Sequence, residues 1–103
     1  MLELWQTEWC PASRRVRERL TELGVDYVIH QVPVEPGRRE TLRRLTGAET
    51  IPVLVAPEEA AIAGEDAIVA WLAGHVEEPS EAAAHRDKAA KARRRYLEEE
   101  CGC

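Results

Sequence analysis

Apolar residues in this chain change their period at one place near the start, and that change limits the available folds more than any other feature. Leu2, Leu4 and the residues around Trp5 alternate as in a half-buried strand. Beyond Cys10-Pro11 the apolar positions Val16, Leu20 and Leu23 fall at i, i+4 and i+7, with arginine and glutamate between them, as in a helix that lays one stripe on a sheet. Proline suits the first position of a helix, where its missing N–H would find no partner anyway, and Gly24 supplies the stop. The next stretch, Val25 to Val34, contains Tyr27, Val28, Ile29 and Val32 and reads as a second strand ended by Pro33 and Pro36. A strand, a helix and a strand at this spacing predict a right-handed crossover between parallel neighbours.

The remainder extends the alternation. Gly37 to Gly47 reads as a weaker helix with Leu42 and Leu45 as its apolar anchors. In Thr50-Ile51-Pro52-Val53-Leu54-Val55 a proline stands at the mouth of a short apolar strand, where its lack of an N–H does no harm to a ladder. After a turn at Ala56 to Glu59, Ala60 to Ala63 is the expected hairpin partner. Gly64-Glu65-Asp66 then opens a third helix carrying Ile68, Val69, Trp71 and Leu72, with Asp66 as its N-cap. The order is βαβαββα, an α/β arrangement without internal repeats.

From Pro79-Ser80 to Glu100 the composition shifts to Ala, Lys, Arg and Glu, with high helix propensity and a thin apolar stripe of Ala89, Ala92, Tyr96 and Leu97. The run Glu98 to Glu100 opposes the macrodipole at the helix C-terminus, so fraying is expected there and mobility in Cys101-Gly102-Cys103. The predicted organisation is one domain over 1–78 and a helical extension over 79–103.

A length of 103 residues suits one core, and a net charge of −5 with a pI near 5.2 argues against a grip on nucleic acid. Arginines gather at Arg38, Arg39, Arg43 and Arg44 and again at Arg93, Arg94 and Arg95, both read as solvated helix faces. No apolar run approaches the roughly 20 residues that cross a bilayer, and Met1 to Trp9 lacks a basic flank while carrying Glu3 and Glu8. The expectation is a cytoplasmic protein without nucleic-acid or membrane partners. Cysteines number three, one near the start and two at the end, which is no disulfide framework, so reduced thiols are expected.

Cys10-Pro11-Ala12-Ser13 places a thiol where a strand passes into a helix. Unpaired backbone N–H groups and the positive end of the helix dipole favour a thiolate there, so a lowered pKa is predicted from position. Ser13 can donate a hydrogen bond to the sulfur but cannot resolve a disulfide, which points to chemistry with one thiol. The plainer reading of Cys10 is an inert thiol at a helix start. Trp5, Trp9 and Trp71 are expected in packing, Trp9 shielding one side of the thiol. His30, His75 and His85 complete no catalytic or metal pattern.

Trp9-Cys10-Pro11-Ala12-Ser13, Thr50-Ile51-Pro52 and Gly64-Glu65-Asp66, in this order and spacing, resemble glutaredoxins and the N-terminal domain of glutathione transferases. The resemblance runs from the first strand through the third helix. It implies a thioredoxin-like fold, a four-stranded mixed sheet flanked by helices, here with an extra C-terminal helix. It further implies a cis Pro52 beside Cys10, the Ile51 backbone facing the cysteinyl part of a bound glutathione, and Trp9 and Pro11 as substrate contacts. Glu65 and Asp66 would receive the γ-glutamyl end, backbone N–H groups taking its carboxylate and an acidic side chain its ammonium. Two departures stand out. Transferases often carry serine where this chain has Asp66, and many glutaredoxins have a lysine where it has Gln6, Thr7 and Glu8. Glu8 would raise the thiol pKa, and Arg38, Arg39 or Arg43 is left to meet the glycyl carboxylate.

The activity that this resemblance implies is a monothiol disulfide oxidoreductase, with Cys10 as nucleophile and Ser13 beside it. Glutathione, or another low-molecular-weight thiol, would be the co-substrate, a glutathionylated or disulfide protein the substrate, and no metal is required. Two alternatives remain: a non-catalytic thiol-binding module related to the transferase N-terminal domain, and a metal or iron–sulfur carrier using Cys10 with glutathione or the tail cysteines.

Overall fold

Hydrogen bonding on both edges makes the first strand the axis of the molecule. A computed structural model describes the backbone of residues 1–100 and the side chains of residues 1–94. Its elements are β1 (Leu2–Gln6), α1 (Pro11–Glu22), β2 (Tyr27–Gln31), a 3-10 turn (Pro36–Arg38), α2 (Glu40–Thr46), β3 (Val53–Val55), β4 (Ile62–Ala63), α3 (Glu65–His75) and α4 (Ala82–Glu100). The strand order is β2-β1-β3-β4. β1 runs parallel to β2, with Leu4 opposite Ile29, and antiparallel to β3, with Leu4 opposite Leu54. This is the thioredoxin-like fold expected from the sequence, with the predicted parallel crossover and the added C-terminal helix.

Alternation along β1 divides the interior into two cores. Leu4 faces the larger one, where Val16, Leu20 and Leu23 of the α1 stripe meet Leu54, Ile68 and Leu72. The neighbouring Trp5 faces the smaller one, formed by Val32, Leu42 and Val53. Helices α1 and α3 therefore share one face of the sheet, and α2 touches the other through Leu42.

Several expectations are corrected. Leu45 is no anchor: α2 is only seven residues long, Leu42 alone reaches the smaller core, and Leu45 is left 63% exposed. The hairpin partner is Ile62–Ala63 rather than Ala60 to Ala63, because the ladder pairs only Leu54 with Ile62 and Val53 with Ala63. Asp66 is not the N-cap of α3. Gly64 caps that helix at φ 94° and ψ 149°, a backbone conformation that side chains beyond glycine rarely tolerate, so the cap lies two residues earlier and the helix begins at Glu65. At the other end of α2 the helix stops as predicted, with Gly47 in the left-handed region and its N–H on the Arg43 carbonyl.

Helix α4 packs on α1 with Ala82 fully buried and Ala89 and Ala92 partly so. Polar contacts add to this. The Arg93 guanidinium pairs with Glu18, and Arg86 Nη2 lies 2.6 Å from Oε1 of the nearly buried Glu22, which Arg19 also meets. Arg93 is thus an ion-pair partner rather than part of a purely solvated face. The Tyr96 and Leu97 side chains and the Cys101-Gly102-Cys103 tail lie outside the described residues.

A fully buried leucine loses both its transfer free energy and its cavity contacts on truncation, whereas an exposed one loses little. Leu20→Ala should therefore cost about 3 kcal/mol in urea unfolding, and Leu45→Ala less than about 0.5 kcal/mol, measured from the shift of the transition midpoint at constant slope.

Candidate functional site

Sheet register brings the separate sequence motifs to one end of the molecule. Trp5 near the end of β1 faces Val53 at the start of β3, and Val53 faces Ala63 at the end of β4. Three chain segments therefore meet at this edge: the loop from β1 to Cys10, the Ile51-Pro52 step into β3, and Gly64 leading to α3. The Ile51–Pro52 peptide bond is cis, Pro52 is fully buried, and its carbonyl accepts the Gly64 N–H at 2.9 Å. Ile51 lies ahead of the paired strand and packs partly on the smaller core.

Cys10 is the N-cap of α1. Its φ of −72° and ψ of 119° are extended, Pro11 follows as the first helical residue, and Sγ accepts the Ser13 N–H at 3.4 Å. The sulfur takes the part that a serine or aspartate oxygen usually plays in satisfying an orphan donor. The residue is half-buried rather than sealed in the core.

Burial is the largest single influence on the thiol and pushes its pKa up. The Ser13 hydroxyl, the Ser13 and Ala12 backbone N–H groups and the Arg15 guanidinium together outweigh burial, and the net result lies below the ordinary thiol value. Ser13 Oγ is fully buried and has no partner at hydrogen-bonding geometry. Its hydroxyl stands near enough to stabilise a charged sulfur, so ionisation of Cys10 supplies the acceptor that the hydroxyl otherwise lacks.

Glu8 does not oppose this. Its Oε1 accepts from Gln6 Nε2 at 3.0 Å and from Gln31 Nε2 at 3.2 Å, and these bonds, led by that from Gln6, hold its carboxyl below the usual range. The expectation that Glu8 raises the thiol pKa is corrected: its carboxylate is engaged by the two glutamines and is not among the groups that act on Cys10. Arg17 fixes the same loop: its guanidinium binds the Gln6 side chain, the Thr7 carbonyl at 3.2 Å and the Glu8 carbonyl at 3.1 Å.

Trp9 also departs from expectation. It is 69% exposed, so it presents an indole face to solvent beside the thiol instead of packing. Trp5 does pack, stacking on His30 with ring centroids 4.2 Å apart, and Trp71 stacks on His75 at 4.1 Å.

The three arginines considered for the glycyl carboxylate have local work. Arg39 is buried and donates to the carbonyls of Pro33, Val34 and Glu49 at 2.9, 3.0 and 3.0 Å, which makes it a staple for the loop between β2 and α2. Arg43 donates to the Pro36 carbonyl at 3.2 Å, and Arg38 lies exposed, 3.9 Å from Glu35. Arg15, which the sequence reading passed over, pairs with Glu65, and its positive charge is the last of the influences that lower the thiol pKa. Asp66 follows Glu65 in the first turn of α3 and is exposed. The signal for Arg15 was available in the topology, since α1 and α3 share a face and begin at the same end of the sheet. Among the described residues no group of three or more His, Cys, Asp or Glu side chains could hold a metal ion, and no helix is long and apolar enough to cross a membrane.

A sulfur-capped helix, a cis-proline at the head of the neighbouring strand and a second helix N-terminus beside them define a thioredoxin-fold thiol protein. The glutaredoxin family model matches residues 2–60, more than half of the chain, and the chain belongs to that family. Among solved structures, a glutathione S-transferase domain-containing protein from Marinobacter aquaeolei VT8 is similar over 88% of this chain and 50% of its own, at 28% identity and a TM-score of 0.64. A glutathione S-transferase from Sinorhizobium meliloti 1021 is similar over 84% of this chain and 42% of its own, at 27% identity and a TM-score of 0.65. A glutathione S-transferase from Methylobacillus flagellatus KT, solved with GSH bound, shares the fold at 22% identity and a TM-score of 0.62, over 74% of this chain and 37% of its own. The chain thus spans half or less of the length of these transferases. No curated protein matches it.

Alkylation of Cys10 by iodoacetamide, followed against pH by mass spectrometry of its peptide, should show a midpoint below the ordinary thiol value of about 8.5. Ser13→Ala removes a donor to the charged form, so the midpoint should rise and the rate at neutral pH fall by about threefold.

Proposed function

We propose that this protein is a glutathione-dependent monothiol disulfide oxidoreductase acting through Cys10. The observation that carries the reading is the Cys10 sulfur itself, half-buried, capping the first turn of α1 and shifted toward its anionic form.

In this reading the Cys10 thiolate attacks the glutathione sulfur of a mixed disulfide, forms a Cys10–glutathione disulfide and expels the substrate thiolate, which takes a proton from water. A second glutathione, as its thiolate, attacks the glutathione sulfur of that intermediate, releasing glutathione disulfide and restoring the Cys10 thiolate. One glutathione thiol is consumed per turnover: its sulfur leaves as glutathione disulfide together with the glutathionyl sulfur that the substrate already carried, and the substrate sulfur returns to the thiol level. No second thiol stands at the position of Ser13, so the resolving thiol comes from solution.

Ser13 stabilises the leaving and attacking sulfur as an anion, and Pro11 sets the start of the helix whose N–H groups do the same. The exposed indole of Trp9 offers an apolar platform to the substrate. Ile51 and Pro52 supply the wall across from the thiol, with the Ile51 backbone available for strand-like pairing to the cysteinyl segment of glutathione. Glu65 and Asp66, at the head of α3, take its γ-glutamyl end. Residues 1–78 serve as the domain that carries the site, and residues 79–103 as an extension to it.

Turnover is measured with a glutathionylated peptide, excess glutathione and a coupled assay of glutathione disulfide. Cys10→Ser should abolish it, and rates equal to those of the unaltered protein would end the proposal. Trp9→Ala should raise KM for the peptide several-fold and leave kcat close to its starting value, as expected for a group that only binds substrate.

A further inference from the structure

The strand order β2-β1-β3-β4 leaves the sheet with two edges, and only one of them is short. β4 has two residues, too few to template another strand, whereas β2 runs for five and contains no proline, lysine or bulge. The Val32 N–H bonds the Gln6 carbonyl, and alternation along a parallel pair then turns the main-chain groups of Val28 and His30 toward β1 as well. Those of Tyr27, Ile29 and Gln31 point outward, and they find no main-chain partner among the described residues.

The side chains along this edge are apolar at its centre and differ in charge at its ends. Val28 and Ile29 are 42% and 40% exposed, one on each face of the sheet. Ile29 stands opposite Leu4, which faces the larger core, so Tyr27, Ile29 and Gln31 share the α1 face. Tyr27 lines a cleft of about 460 Å³ with Arg14, Arg17 and Lys88. The one carboxylate lining that cleft, Glu18, already meets Arg14 and Arg93. At the other end of the strand the Gln31 side chain donates to the exposed Glu8 carboxylate at 3.2 Å. A cationic end and an anionic end thus flank an uncharged middle.

We propose that β2 pairs with β2 of a second copy of this chain, antiparallel about a twofold axis at Ile29, so that the two four-stranded sheets join into one. In this register Ile29 faces the partner's Ile29, Tyr27 faces the partner's Gln31, and the outward groups exchange about six main-chain hydrogen bonds. Charge selects a second copy over an unrelated extended peptide. The twofold axis sets the cationic Tyr27 end of each strand against the partner's Glu8, and it does so at both ends of the pairing. Asp26, the acid that precedes the strand, falls opposite the partner's Val32 and meets no like charge. Because one patch serves both copies, the assembly closes at two and leaves only the short β4 edges open. No residue of the thiol site takes part in the pairing, so the interface and the oxidoreductase reading stand or fall separately.

Sedimentation velocity of the full chain, under reducing conditions that keep its cysteines from linking chains, should show monomer passing into dimer between roughly 10 μM and 1 mM. Amide hydrogen exchange followed by NMR over the same range identifies the face. Protection of the Tyr27, Ile29 and Gln31 N–H groups should rise about tenfold with concentration, while Val28 and His30, already bonded to β1, exchange slowly throughout. Ile29→Lys places two ammonium groups together at the axis and should raise the dimer Kd about tenfold or more. Its far-UV circular dichroism and its rate of Cys10 alkylation should match those of the unaltered chain. A chain that is still monomeric at about 1 mM overturns the proposal. So does a dimer as tight in Ile29→Lys, or one whose formation leaves the three outward N–H groups exchanging as before. The exchange pattern is read on the unaltered chain, so it decides the matter even where Ile29→Lys does not fold.

Discussion

Everything in this fold is built against β1. Paired on both sides, with β2 parallel and β3 antiparallel, it is the one strand that cannot shift without undoing the sheet. Its alternation sends Leu4 to one core and Trp5 to the other, so a slip by one residue would exchange the two interiors. Its direction also decides where the chemistry lies, because the loop after Gln6 must deliver Cys10 at the end where β3 begins and β4 stops. Arg17, bound to the Gln6 side chain and to the Thr7 and Glu8 carbonyls, holds that loop on α1.

The thiol environment follows from this placement. A helix N-terminus has donors without partners, and here a sulfur accepts one of them. Burial alone would keep the thiol protonated, yet the Ser13 hydroxyl, two backbone N–H groups and Arg15 reverse that tendency. The acidic surface of the chain is beside the point, since the local field at Cys10 comes from one helix end and one guanidinium. Glu8, close in sequence, is hydrogen-bonded by two glutamine side chains and is not among the groups that act on the thiol.

Periodicity was enough to place β1, α1 and β2, because the change from alternation to a helical stripe at Cys10-Pro11 is sharp and Val16, Leu20 and Leu23 leave no second face to bury. It was less informative where elements are short. In α2 the leucines look equivalent along the sequence, and only the position of the smaller core separates buried Leu42 from exposed Leu45. The cap of α3 was misplaced by two residues because a positive φ at Gly64 leaves no trace in composition. Motif likeness found Cys10, Ser13 and the Ile51-Pro52 step. Arginine roles were the least legible, since whether Arg15 meets a carboxylate or Arg39 meets three carbonyls depends on the path of distant segments.

The way α4 rests on α1 has a consequence for the whole chain. Most of the molecule is held by apolar contact, which added salt strengthens or leaves unchanged. The last helix instead adds to a few alanines the pairs Arg93 with Glu18 and Arg86 with Glu22, and charge attraction at a wet surface fades as the Debye length shrinks toward about 3 Å at 1 M ionic strength. The chain therefore contains two kinds of cohesion with opposite responses to its medium, and concentrated electrolyte loosens the last helix before it disturbs the sheet.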